Sequence, residues 1–156
     1  MATREPIYLY TDGASSGNPG PGGYGAVLIC GSLRRELSGG FALTTNNRME
    51  LLAVIMGLEA IRWKGAEVRV YSDSTYVVGT VTKNWKRKKN LDLWARFDEL
   101  SRDFELSFHW IKGHAGHPEN ERCDRLAVAA YSAPDLPADE GYTPDETLFA
   151  GNRQQP

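Results

Sequence analysis

The sequence is poor in cysteine, with only Cys30 and Cys123 among 156 residues. The two stand far apart, in segments that read as a strand and a helix, which points to free thiols and excludes a disulfide-stapled scaffold. No apolar run comes near the roughly 18 residues that a membrane helix needs, so membrane transport is excluded as a function class. The opening Met-Ala-Thr-Arg-Glu-Pro lacks the apolar stretch of a secretory signal. The expectation is a soluble cytoplasmic protein with no membrane partner. The phosphate-binding pattern G-x-x-x-x-G-K-[ST] is missing, as is any internal repeat, which removes P-loop nucleotide hydrolysis and solenoid architectures.

A strong charge excess is also missing: 18 Lys and Arg face 20 Asp and Glu, a net charge of -2. The distribution is uneven, however. Residues 1–131 hold 17 of the cations against 15 acids, a body at +2, whereas residues 132–156 hold one Arg against five acids, a tail at -4. Such a split fits nucleic-acid contact by the body, and it also fits a bland solvated tail. Four of the eight prolines fall in that tail. It is expected to be a mobile, acidic appendage to a single domain over 1–131.

What the chain does have is clear periodicity. Ile7 to Thr11, Tyr24 to Cys30 and Leu33 to Ser38 read as three strands. Met49, Leu52, Ala53, Met56, Ala60 and Trp63 recur at helical spacing, which predicts a buried helix over Asn47 to Trp63. A strand over Glu67 to Ser72, helices over Ser74 to Lys83 and Leu91 to Arg102, a strand over Glu105 to Trp110 and a helix over Pro118 to Tyr131 complete the order βββαβααβα. A meander followed by alternating elements implies an α/β fold, a mixed sheet with helices packed on it. Gly20 to Gly25 matches G-x-G-x-x-G, but the branched residues of "AVLIC" that follow favour a strand where a dinucleotide site needs a helix. The stretch is read instead as a wide turn that leaves Asp12 at an exposed strand end.

Four carboxylates stand where carboxylates are awkward. Asp12 ends a strand, and Glu50 is the lone charge in "MELLAVIMGL". Asp73 follows a strand in "VYSDSTYV", and Asp124 lies on one helical stripe with Ala127, Val128 and Tyr131. Each has a bland alternative: a capping box from Asn47 to Glu50, an N-cap at Asp73. Together they form a set of oxygen donors suited to a hard divalent cation such as Mg²⁺. His114, between Gly113 and Gly116, is a candidate proton carrier, and a solvated loop histidine is the alternative. A zinc site from His114, His117 and Cys123 lacks a fourth ligand.

The motifs "YTDGASSGNPGPGGYGAVL", "TTNNRMELLA", "SDSTYV", "NWKRKKN", "DLW" and "KGHAGHPENERCDRLA" together resemble the bacterial type 1 ribonuclease H family over roughly residues 6–131. The resemblance implies a ribonuclease H-like fold, a five-stranded mixed sheet flanked by helices. It implies an endonuclease that hydrolyses the RNA strand of RNA/DNA hybrids with little regard to base sequence. Two Mg²⁺ ions, or Mn²⁺, held by Asp12, Glu50, Asp73 and Asp124 would act with His114 as the mobile catalytic histidine, leaving 5′-phosphate and 3′-hydroxyl ends. RNA would be told from DNA by its 2′-hydroxyl, read by Gly13, Ala14, Ser15, Asn18 and Asn46. Thr45 and Asn90 resemble a pocket for a DNA-strand phosphate, and Thr75 stands where a glutamine often contacts RNA. Relatives often have a longer basic handle; here Trp85, Lys86, Arg87, Lys88 and Lys89 are expected to serve as a shortened one. Nothing in the sequence demands more than a monomer, which is the expectation. The competing class is a non-catalytic hybrid-binding module of the same fold.

Overall fold

The computed structural model describes residues 5–144. The elements are β1 (Ile7–Ser15), β2 (Gly20–Cys30), β3 (Leu33–Thr44), α1 (Asn46–Glu59), β4 (Ala66–Ser72), α2 (Thr75–Thr82), α3 (Leu91–Ser101), β5 (Phe104–Trp110) and α4 (Pro118–Tyr131). The strands form one five-stranded sheet in the order β3-β2-β1-β4-β5. The β1–β2 and β2–β3 pairs are antiparallel, whereas β1–β4 and β4–β5 are parallel. The expected element order and mixed sheet are therefore present.

The core lies between α1 and the sheet. Ile7 and Leu9 of β1, Val68 and Val70 of β4, and Met49, Leu51, Leu52, Ile55 and Leu58 of α1 are buried together, joined by Trp94 and Phe97 of α3. Removing this much apolar surface from water is the main driving force for the fold. On the opposite face α4 packs on β2, β1 and β3. Its rim is tied to β3 by Arg34 with Glu119 at 2.6 Å and Arg122 with Glu36 at 2.8 Å.

Several boundaries differ from expectation, and glycine explains the largest difference. The run Gly20 to Gly25 is not a wide turn but the first half of β2, with Gly22 paired to Ser15 and Gly23 to Ala14. A β-carbon on Gly23 would sit 2.5 Å from the Ala127 carbonyl oxygen, and one on Gly25 would collide with the Cys123 carbonyl. Glycine is there because the α4 backbone lies directly on the strand. β1 and β3 also run further than read, to Ser15 and Thr44. α1 stops at Glu59, so Trp63 lies beyond the helix.

Both capping readings change as well. Thr45, not Asn47, caps α1, its hydroxyl accepting from the Arg48 amide at 3.3 Å. Ser74, not Asp73, caps α2, accepting from the Val77 amide at 3.1 Å. Glu50 and Asp73 are thereby left free of capping duty. The buried stripe of α4 is Asn120, Cys123 and Ala127, while Val128 is exposed and Asp124 sits half-buried beside the stripe.

The tail was expected to be mobile from residue 132. Over its described part it is instead fastened to the body, with the Ala42 amide donating to the Pro137 carbonyl at 2.8 Å. The Thr44 hydroxyl donates to Asp139 at 2.6 Å. Residues 145–156, the rest of that tail, lie outside the described residues.

Candidate active site

The register of the two central parallel strands builds the site. Thr11 of β1 is level with Ser72 of β4, so the next residue on each, Asp12 and Asp73, emerges at the same carboxyl edge. Crevices at the carboxyl ends of parallel strands are where α/β sheets bind ligands. The first turns of α1 bring Glu50 to the same place. Carboxylate oxygens of Asp12, Glu50 and Asp73 all lie within 4.8 Å of one another.

Two backbone details hold the trio. The Gly13 amide donates to Glu50 Oε1 at 2.6 Å and to Asp12 Oδ1 at 2.9 Å. A β-carbon at Gly13 would lie 2.5 Å from the Met49 carbonyl carbon, so only glycine lets β1 approach α1 this closely. At Asp73, the Trp110 indole donates to the backbone carbonyl at 3.1 Å, and Gly113 passes so near that a β-carbon would be 2.5 Å from Asp73 Oδ2.

The electrostatics are those of a cation site. Burial first, then the charge of Asp73, pushes the Asp12 carboxyl up to about 8. Burial and the charges of Asp12 and Asp73 hold Glu50 well above the usual carboxylate range. The charged groups acting on them are carboxylates, offset in part by the Gly13 amide, which favours their ionised forms. Crowded carboxylates of this kind stay protonated or take up a hard cation, and three convergent oxygens are the donor set such an ion prefers. The donors present therefore fit a divalent metal.

Asp124 is near enough for its charge to raise Asp12 further, but it is not one of the three converging groups. His114 is exposed, with φ at 55°, in the loop between β5 and α4. The zinc alternative is not supported: Cys123 is buried on α4 with Sγ 3.2 Å from the Tyr10 carbonyl, and burial pushes its thiol up.

The expected substrate residues divide into two groups around these carboxylates. Gly13, Ala14 and Ser15 continue β1 past Asp12, and the Asn18 side chain accepts from the Asn46 amide at 3.0 Å. Next to them opens a groove of about 980 Å³ lined by Asn18, Thr45, Lys86, Lys88, Lys89 and Asn90. Thr75, at the start of α2, is exposed. Trp85 lies against Gly79 of α2, where a β-carbon would strike its ring, so it anchors the basic loop. Arg87 is placed differently from its neighbours. It turns away from the groove to stack 4.5 Å from the centre of the Trp94 ring and to pair with Asp98 at 2.7 Å.

Sequence reasoning missed Arg48. It is 2% exposed and is held by Asp92 and Asp139, each at 2.8 Å. The signal was available, since an arginine in the first turn of a helix as apolar as "RMELLAVI" must find acids.

The family model RNase H matches residues 4–132. A ribonuclease H of Rippkaea orientalis is 53% identical over 150 residues, covering 87% of this chain and 91% of the relative. One of Aeromonas salmonicida is 51% identical over 151 residues, covering 88% and 97%. Among solved structures, RNase H1 of the halophilic archaeon Halobacterium salinarum NRC-1 matches with a TM-score of 0.67 at 32% identity, over 81% of this chain and 97% of the other. LC11-RNase H1, solved in complex with an RNA/DNA hybrid, matches with a TM-score of 0.70 at 29% identity, over 81% and 96%. No helix among the described residues is long and apolar enough to cross a membrane. With a family model spanning the whole sheet and its helices, and relatives alike over nearly their full length, this chain belongs to the RNase H family of ribonucleases.

Proposed function

We propose that this enzyme is an endonuclease that hydrolyses the RNA strand of RNA/DNA hybrids, leaving 5′-phosphate and 3′-hydroxyl ends, with Mg²⁺ as its cofactor. The observation that carries the reading is the convergence of Asp12, Glu50 and Asp73 within 4.8 Å where the parallel pairing of β1 with β4 ends. Asp124 is taken as the fourth ligand, drawn in from α4. Two Mg²⁺ ions bound there would supply an activated water and a Lewis acid for the leaving oxygen.

The remaining work falls to the chain's own groups. With the Gly13 and Asn46 amides engaged by Glu50 and Asn18, the rest of the β1 extension and the Asn18 and Asn46 carboxamides are the groups that would recognise a 2′-hydroxyl. Thr45 and Asn90, with Lys86, Lys88 and Lys89, line the groove in which the DNA strand's phosphates would lie. His114, exposed on a glycine-bracketed loop, is free to carry a proton to or from the reacting phosphate. The enzyme is taken to act as a monomer in the cytoplasm.

The test is one assay. Labelled RNA/DNA hybrid, RNA duplex and DNA duplex are incubated with Mg²⁺ or EDTA, and products are resolved by end chemistry. Cleavage of RNA in the hybrid alone, abolished by EDTA, is the expected result. Binding of hybrid without cleavage would make the protein a non-catalytic hybrid-binding module instead.

A further inference from the structure

The groove has a wall that the sequence did not foretell. Gly141, Tyr142, Thr143 and Pro144 of the fastened tail line it together with the basic loop. The fastening passes through Arg48, whose Nε donates to Asp139 at 2.8 Å while Nη1 and Nη2 grip Asp92 at 2.9 and 2.8 Å. The same Nη1 reaches Asn90 Oδ1 at 3.3 Å. Asn90 Nδ2 in turn donates to the Tyr76 hydroxyl at 3.0 Å. Asn90 thus has its backbone in the left-handed region, at φ 59°, and its side chain held from both ends.

We propose that the strap 137–144 is a working part of the strand-binding groove, and that Asp139, through Arg48, is a positioning residue for the phosphate contact of Asn90. Arg48 itself is not a phosphate ligand, because its guanidinium is buried and committed to two carboxylates. The proposal rests on the groove's reading as the seat of a nucleic-acid backbone. The role differs in kind from tail packing for stability alone: without Asp139 the guanidinium is left to Asp92 and Asn90, and its pull on the Asn90 carboxamide changes direction.

Charge makes the test sharp. Asp139→Ala removes a negative charge beside a polyanion site, so electrostatics alone predicts tighter binding. Loss of positioning predicts weaker binding. Kd for an RNA/DNA hybrid is measured in Ca²⁺, together with kcat and KM in Mg²⁺, for the parent, Asp139→Ala, Asp139→Glu and Gly141→Ala. The last puts a β-carbon at a backbone φ of 89°, where an L side chain is strained, and against the Asp92 carboxylate, so it perturbs the strap and its Arg48–Asp92 anchor without changing charge. Val68→Ala, a truncation of a fully buried β4 side chain that does not line the groove, serves as a control for lost stability.

The expected result is a rise of about tenfold in Kd and KM for Asp139→Ala and Gly141→Ala, the scale of one misplaced charge-assisted hydrogen bond. Saturated turnover stays within about twofold, Asp139→Glu recovers most of the affinity, and Val68→Ala leaves Kd unchanged. Unchanged or tighter binding by Asp139→Ala, beside a parent that binds and cleaves hybrid, overturns the strap's role and leaves the ribonuclease reading intact. A parent that binds no hybrid overturns both.

Discussion

The Gly13 amide points at Glu50 Oε1 from 2.6 Å, and this one bond joins the end of the central strand to the first turns of α1. It brings a carboxylate from a helix up to Asp12 of β1 and to Asp73, which follows β4. Because the same amide also serves Asp12, two of the three carboxylates lean on one backbone donor, and burial favours their protonated forms when no metal is bound.

That arrangement predicts how the metal-free protein responds to pH. The Asp12 carboxyl is raised to about 8 in the folded state, while an unfolded aspartate titrates near about 3.9. Between those values the native state binds a proton that the unfolded state lacks, so stability falls as pH rises. The contribution is complete below about 4 and is lost as pH climbs through about 8. Tm measured in EDTA should therefore decline from pH 6 to pH 9, by about 2–4 °C per kcal/mol lost. Mg²⁺ should raise Tm more at pH 8 than at pH 6, because at lower pH it must displace the proton. Asp12→Asn should flatten the EDTA profile, abolish the Mg²⁺ effect and abolish cleavage while hybrid binding persists. Superimposable Tm profiles for parent and variant would take Asp12 out of the coupled cluster.

Gly13→Ala tests the close approach directly. The new methyl has no room against the α1 backbone at Met49 and Glu50, so strand and helix must separate. Overpacking against backbone costs about 1–3 kcal/mol or more, which corresponds to a Tm loss of at least several degrees. Separation also carries Glu50 away from Asp12 and Asp73. The variant should therefore lose the Mg²⁺-dependent rise in Tm as well, whereas a purely structural lesion would lower both curves in parallel.

The pattern of what sequence could and could not show follows from these interactions. Helices α1, α3 and α4 announced themselves by apolar spacing, and the carboxylates by standing where an unpaired charge is costly. The extent of β2 did not, because glycine carries no strand preference and the helix backbone it admits is about 100 residues away in sequence. The strap did not either. Its prolines and acids have the composition of a mobile tail, and its order comes from partners remote in sequence, the end of β3 at Ala42 and Thr44 and a buried arginine on α1. In the basic loop four adjacent cations look equivalent on paper, yet the ring of Trp94 and the carboxylate of Asp98 claim Arg87 for the body.

His114→Ala should separate chemistry from folding. The side chain is exposed on a loop, so Tm should be unchanged. Turnover should drop by about 10- to 1,000-fold, the range for loss of a proton carrier, with the residual activity still dependent on metal. A variant as active as the parent would leave His114 a solvated loop residue. Complete loss that added Mg²⁺ cannot relieve would make it part of the metal site.

The basic loop offers the last prediction, and the structure divides its cations. Lys86, Lys88 and Lys89 line the groove, whereas Arg87 is engaged with Trp94 and Asp98. Replacing the three lysines with alanine should weaken hybrid binding and reduce the slope of log affinity against log salt by roughly 0.9 for each phosphate no longer neutralised, about 2–3 in all. Saturated turnover should hardly change, because these lysines act alike on ground and transition states. Arg87→Ala should behave in the opposite way. It removes a cation stacked on a buried indole and a partly exposed ion pair, so it should lower Tm and leave the salt slope within about half a unit of the parent. The measurement is a salt titration of hybrid affinity in Ca²⁺ for parent, triple-lysine and Arg87→Ala proteins, with Tm for each. An equal loss of slope in both variants would mean that Arg87 swings back into the groove when the hybrid binds. An unchanged slope in the triple variant would place the strand's phosphates elsewhere.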